Sequence, residues 1–368
     1  VMEAGERDLA RMRASGTAWP ELAYEQATGD DGYDFDRNAV ARAQVLWALQ
    51  YDRRPGDHAL VRWLAEQEAV CRREAPFQGL TEETELAGLL LAEYRRPADV
   101  WLQWQLKRAN FDTWCGYDIE HVVAAGADQT LSLVRASEHD HRTDILERLL
   151  DAEGRPALSD EDVAEWFEQQ RLRFPPDPAA EDPLTWIARA QLIGDRALAR
   201  DLIDRWAADR PRDQATVTQL RYELAAIGAF AEAAAAQRER LTFAEGAWDT
   251  ASGWCELAEL ERRAGHHVAA WEALRTARRA LDDVSGWTEV GLGRGYMAEM
   301  FQLAVAAPSE PAHEIFTAAD AEAGSFPGLP LNTLRFAVEA AVNVGDEPRA
   351  EHYRQLAAAE QQRISRPG

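Results

Sequence analysis

Between Trp101 and His121 the chain gathers more side chains capable of chemistry than anywhere else: Trp101, Trp104, Arg108, Asn110, Asp112 and Trp114, then Asp118, Glu120 and His121. At spacings of three and four, Trp101, Trp104 and Arg108 fall on one face of a helix, while Asn110, Asp112 and Asp118 stand where the chain turns toward the next. Aromatic walls ringed by an arginine and carboxylates would hold a small molecule. Asp118, Glu120 and His121 would be the groups that trade protons with it, since carboxyl and imidazole are the usual general acids and bases. Alternatively, Asp112 and Asp118 are helix caps and the tryptophans are core, which accounts for the same residue types without a ligand.

Other clusters fall short of a recognisable site. Asp30, Asp31, Asp34 and Asp36 crowd around Gly32, but the ligand order and closing glutamate of a calcium loop are missing, so a solvated loop before the next helix is expected. His139 and His141 supply two imidazoles without a third ligand at a characteristic spacing. Gly291, Gly293 and Gly295 look like a phosphate loop, yet no strand precedes them and no Lys-Ser/Thr pair follows. Cys71, Cys115 and Cys255 lie far apart and read as small hydrophobes rather than as a disulfide framework or zinc site. With no nucleophile elbow and no catalytic cysteine signature, we expect neither cofactor nor metal.

The elements that must position these residues are helices. Val40, Ala43 and Trp47, or Leu86, Leu89, Leu90 and Tyr94, repeat the spacing of one helical face, and no segment alternates with the period of a strand. Breakers such as Arg54 to Asp57, Pro76 to Gly79 and Gly154 to Pro156 recur every 12 to 20 residues or so, the spacing of helical hairpins. Ser159 followed by Asp160, Glu161 and Asp162 predicts a capped helix from about Glu161 to Arg173. The consecutive prolines of the stretch that follows Phe174 and ends at Pro183 exclude helix there, which divides the chain into an irregular helical-hairpin domain over 1–173 and a second domain over 184–368.

In that second domain, the turn positions Gly194, Gly228, Gly265, Ala307 and Gly345 recur at steps of 34, 37, 42 and 38 residues. With Ala264-Gly265 ahead of Val268, Ala277 and Leu281, this half resembles the tetratricopeptide repeat family, whose period is 34. The resemblance implies an all-α solenoid of antiparallel helix hairpins in which each pair buries the apolar flank of its neighbour. It also implies a groove lined by first-helix side chains: Arg189, Tyr222, Glu259, Arg262, His266, Glu339, Asn343 and Arg349.

Forty basic residues against 64 acidic ones give a formal charge of −24. Such a surface repels nucleic acid and anionic membranes unless arginines gather locally, and it favours a basic partner. No apolar run approaches the roughly 18 residues needed to span a bilayer, and the first residues lack a signal-peptide core, so a cytoplasmic protein is expected. The leading expectation for function is a non-enzymatic module that binds a protein or peptide partner of basic character. The alternative is an enzyme or small-molecule binder built on residues 101–121.

Overall fold

The computed structural model describes residues 2–29, 32–75, 77 and 79–365. Asp30 and Asp31 of the acidic run, and Pro76 and Gln78 of one breaker, lie outside the described residues. The fold is all-α, and the chain divides into two compact units, Val1–Gly194 and Asp195–Gly368.

The first unit runs α1 (Met2–Ala14), β1 (Gln26–Thr28), β2 (Asp34–Asp36), α2 (Ala39–Tyr51), α3 (His58–Glu74), α4 (Glu82–Ala92), α5 (Val100–Lys107), α6 (Phe111–Gly116), α7 (Ala127–Ala136), α8 (Arg142–Leu149), α9 (Asp160–Arg173) and α10 (Pro183–Leu192). Its core is anchored by Trp47, Trp104, Tyr117 and Phe167 among leucines of α2 to α5. One tryptophan buries far more apolar surface than a leucine, so few residues suffice to fix the packing. α1 packs on α2, α2 on α4, and α3 on both α4 and α5. As the sequence predicts, Ser159 caps α9: its Oγ accepts from Asp162 N (3.2 Å), while Asp162 accepts from Ser159 N (2.7 Å).

The absence of strands expected from the sequence needs correction. β1 and β2 pair antiparallel, Gln26 opposite Asp36 and Thr28 opposite Asp34. Three-residue strands are too short to carry a period of two. Backbone bonds at both ends, Gly29 N to Tyr33 O (2.8 Å) and Arg37 N to Glu25 O (2.9 Å), close the hairpin, and Asp34 adds side-chain bonds by accepting from Gln26 Nε2 (2.7 Å) and Thr28 Oγ1 (2.9 Å).

At the centre of the unit Gly88 of α4 admits the Tyr117 ring. Gln103 Nε2 donates to Gly88 O (2.9 Å), and Tyr117 Oη donates to Gln103 Oε1. A Cβ at Gly88 would lie 1.9 Å from Tyr117 Oη. Alanine gains about 1 kcal/mol of helix propensity over glycine, but overpacking a rigid ring costs about 1–3 kcal/mol and also displaces this hydrogen bond. Gly88→Ala is therefore expected to lower the urea midpoint of the protein, where propensity alone would raise it.

The second unit runs α11 (Arg196–Ala208), α12 (Gln214–Ala226), α13 (Phe230–Arg240), α14 (Gly246–Arg263), α15 (His267–Leu281), α16 (Gly291–Ala306), α17 (Ser309–Ala323), α18 (Leu331–Asn343) and α19 (Glu347–Ser365). Each of α12/α13, α14/α15, α16/α17 and α18/α19 packs as a consecutive pair, and α16 also packs on α14 and α18. α15 illustrates the cause: Ala270, Ala273, Leu274, Ala277 and Leu281 are buried along one stripe while Arg275 and Arg279 face water. Gly228 and Gly265 turn the chain between paired helices at φ of 79° and 81°, a left-handed conformation that side chains disfavour. Val268, one of the positions that carries the repeat spacing, is 66% exposed rather than packed.

The division falls after Gly194, beyond the proline stretch where composition places it. α10 belongs to the first unit because Gln50 Nε2 of α2 donates to Pro175 O (2.9 Å) and to Glu181 Oε2 (3.0 Å), and Arg189 of α10 reaches back to Gln50 and Tyr51.

Candidate functional site

The cluster at 101–121 separates into an open part and a sealed part. Trp104, Arg108 and Trp114 line a cavity of about 370 Å³ together with Asp144, Glu147 and Arg148. Trp104 is buried and meets the half-exposed Trp114 edge to face, centroids 6.1 Å apart. Arg108 is committed to Asp144 (2.7 Å) and to His141 Nδ1 (3.0 Å). Trp101 stacks instead on His139, with centroids 4.1 Å apart. The cap of α6 is Asn110, whose Oδ1 accepts from Thr113 N (2.8 Å) and whose Nδ2 donates to Arg72 O (3.0 Å). Asp112 is exposed in the first turn of α6.

The proposed acid–base residues do not converge on that cavity. Asp118 accepts from Trp166 Nε1 (2.9 Å) and Gln170 Nε2 (3.0 Å), so its carboxylate fastens α9 rather than capping a helix. His121 is 2% exposed, stacked on Tyr117 and against Trp166. Burial pushes its imidazole down to about 3, which keeps it neutral. Burial likewise raises the Glu120 carboxyl. Among the described residues no hydrogen bond joins Asp118 to His121, so the geometry offers no proton relay there.

The residues assigned to a groove in the second half also part company. Arg189 is not on an open face: it is 2% exposed in the first unit, its guanidinium 5.2 Å from the Trp47 ring and 5.1 Å from that of Trp186. Asn343 donates to Ala304 O (3.0 Å), tying α18 to α16. Arg349 pairs with Asp320 (3.1 Å) and borders a different cavity. His266 Nδ1 meets the buried Glu261 at 2.8 Å. Tyr222 and Glu339 are exposed, and Arg221 lies over the Tyr222 ring at 3.8 Å.

Glu259 and Arg262 do share a groove. It has a volume of about 310 Å³ and is lined by Ser252, Cys255, Glu256, Glu259 and Arg262 of α14, with Glu299 and Gln302 among the residues facing them from α16. Spacing of three and four along α14 puts its five side chains on one face. Arg262 donates to Glu299 (2.6 and 3.0 Å) and to Gln302 (3.1 Å), and Glu259 pairs with Arg263 (3.3 Å). Burial holds the Glu299 carboxyl above its ordinary range against the pull of Arg262, and pushes the Cys255 thiol up to about 12, which leaves it unreactive. Each carboxylate has an arginine near it, Glu299 paired with Arg262, Glu259 with Arg263 and Glu256 with Arg221 (3.6 Å), but of these guanidinia only Arg262 lines the groove, so its lining carries three carboxylates and one arginine. Glu256, Glu299 and Gln302 escaped the sequence reading, although Glu256 lies one turn before Glu259 and was findable from α14 alone.

Comparison with protein-family models, curated proteins and solved structures gives no match to this chain. Among the described residues there is no group of three His, Cys, Asp or Glu placed to hold a metal ion, and no helix long and apolar enough to cross a membrane.

Proposed function

We propose that the second unit is a tetratricopeptide-like stack of helix pairs that serves as a protein-interaction module. It engages a basic segment of a partner along the face of α14 and α16. The observation that carries this is the groove itself, in which Glu256, Glu259 and Glu299 outnumber Arg262. A lysine or arginine entering it would exchange with Arg263 and Arg221, whose pairs with the partly exposed Glu259 and Glu256 are weak, while the chain's charge of −24 would speed the encounter. The four consecutive pairs, with α16 packed on both α14 and α18, supply the rigid wall such recognition needs.

A second reading rests on the Trp104/Trp114 cavity. Its aromatic walls and mixed charges suit a small molecule, with Arg108 and Asp144 at the mouth.

One binding experiment separates the two. With a fluorescent arginine-rich peptide as probe, the double variant Glu256→Lys/Glu259→Lys is expected to lose at least about tenfold in affinity. Glu347→Lys/Glu351→Lys on α19, which changes net charge equally, is expected to lose far less. Equal losses in both would mean that bulk charge alone attracts the peptide and the groove assignment fails. A loss confined to Trp114→Ala would move recognition to the cavity of the first unit.

A further inference from the structure

A third cavity, in the second unit, has no place in either reading. It measures about 470 Å³, within the range of small-molecule sites, and lies between the end of α17, the loop at 324–330, α18 and α19. Phe326, Leu329, Leu334, Leu356 and the Tyr353 ring supply apolar surface. α19 is 19 residues long against 13 for α18, so its later turns border the cavity as well, bringing Glu360 and Arg363 to its edge.

The polar groups at this cavity are unevenly used. Asp320 accepts from Tyr353 Oη (2.8 Å) through one oxygen and pairs with Arg349 Nη2 (3.1 Å) through the other. Glu360 accepts from Arg363 Nη2 (2.6 Å) and Nε (2.7 Å). All four carboxylate oxygens are therefore engaged. Arg349 keeps Nε and Nη1, and His352 keeps both ring nitrogens, without a protein partner among the described residues. Arg349 and His352 are exposed, so these donors face water when the cavity is empty, and what the site offers a ligand is donor capacity beside an apolar floor.

We infer that this cavity binds an apolar carboxylic acid, its chain or ring against Phe326, Leu334 and Leu356 and its carboxylate on Arg349 with His352 beside it. A neutral apolar molecule would bring no acceptor for the Nε and Nη1 that Arg349 leaves over from its pair with Asp320, and an ammonium would find every carboxylate oxygen already engaged. The inference is independent of the α14/α16 groove.

The test is calorimetric titration of the full chain with octanoate, 1-octanol and octylammonium. Octanoate is expected to bind at least about tenfold more tightly than octanol, the usual scale of one charge-assisted contact. Arg349→Ala should bring octanoate down to the octanol level. Leu356→Trp, at a side chain 42% exposed and so tolerant of a larger group, should fill the cavity and abolish both. Thermal unfolding of each variant near the wild-type midpoint establishes that the fold survives. Equal binding of octanoate and octanol, preference for octylammonium, no detectable octanoate binding, or an Arg349→Ala variant with wild-type affinity would each overturn the assignment. Octanoate binding that persists in Glu256→Lys/Glu259→Lys keeps this result separate from the groove.

Discussion

Replacing Arg42 with methionine is expected to destabilise the protein by about 3–5 kcal/mol, because it strands two carboxylates in a dry interior. Arg42 is fully buried. Its Nη2 donates to Asp36 (2.6 Å), its Nε to Glu68 (2.6 Å) and its Nη1 to Leu22 O (3.1 Å). Thr84 Oγ1 donates to the second Glu68 oxygen (2.7 Å), and the Glu25 and Asn38 amides donate to Asp36 (3.0 Å each). The network joins β2, α2, α3 and α4, and each guanidinium arm finds an acceptor.

Acid sharpens the prediction. Burial raises the Glu68 carboxyl, but Arg42, Arg72 and Thr84 together outweigh it and leave the group below its ordinary value of 4.5. With the folded value depressed, the unfolded chain binds more protons as pH falls below about 4.5, so wild-type stability from this group is lost there. Without Arg42, burial is opposed only by Arg72 and Thr84, so that Glu68 rises and its protonation relieves the stranded charge. The deficit of Arg42→Met relative to wild type should therefore shrink on acidification. Urea titrations at pH 7 and pH 4 measure it, and a deficit below about 1 kcal/mol at pH 7 would refute the account. Arg42→Met/Glu68→Met should cost less than the two single changes summed, as expected for groups in one network.

Arg189→Met is the second large effect, and its signature is local. Arg189 donates to Tyr51 Oη (2.7 Å) and Gln50 Oε1 (2.7 Å), 3.5 Å from the buried Glu181 carboxylate, within a ring of Trp47, Tyr51 and Trp186. Methionine keeps much of the apolar stem and removes the charge, which leaves Glu181 buried without its cation at a cost of about 3–5 kcal/mol. Gln50 also holds Pro175, so the whole stretch from Pro175 through α10 should loosen. Limited proteolysis is expected to cut within 175–182 before any other site, and Arg189→Met/Glu181→Gln should restore much of the resistance. Unchanged cleavage in the single variant would mean that apolar packing, not this ion pair, retains α10 in the first unit.

These two arginines mark where sequence reasoning stops. Arg189 sits beside Ile187 and Ala190 on a helix whose exposed positions, Pro183, Ala188 and Leu192, are apolar, so local polarity would place the arginine in water and the leucine in the core, the reverse of what is found. Its partners are Gln50 and Tyr51, well over one hundred residues away. Asp36 belongs to an acidic run that looks solvated until Arg42, six residues on in the first turn of α2, is seen pointing inward. His121 likewise has the residue type of a catalyst and the position of a core side chain, a difference made by Tyr117 and Trp166 on either side.

The all-α class, the Ser159 cap with its helix to Arg173, and the glycine turns at 228 and 265 are legible in local sequence. They depend on contacts within four residues and on φ preferences of single residues, both written in local spacing. Tertiary structure alone decided that α10 joins the first unit, that Asp118 fastens α9, and that Glu259 and Arg262 share an acidic groove with Glu299. Each of those outcomes turns on which distant side chain removes a charge from water, and the energy of that choice is set by the partner's position in space rather than by any interval along the chain.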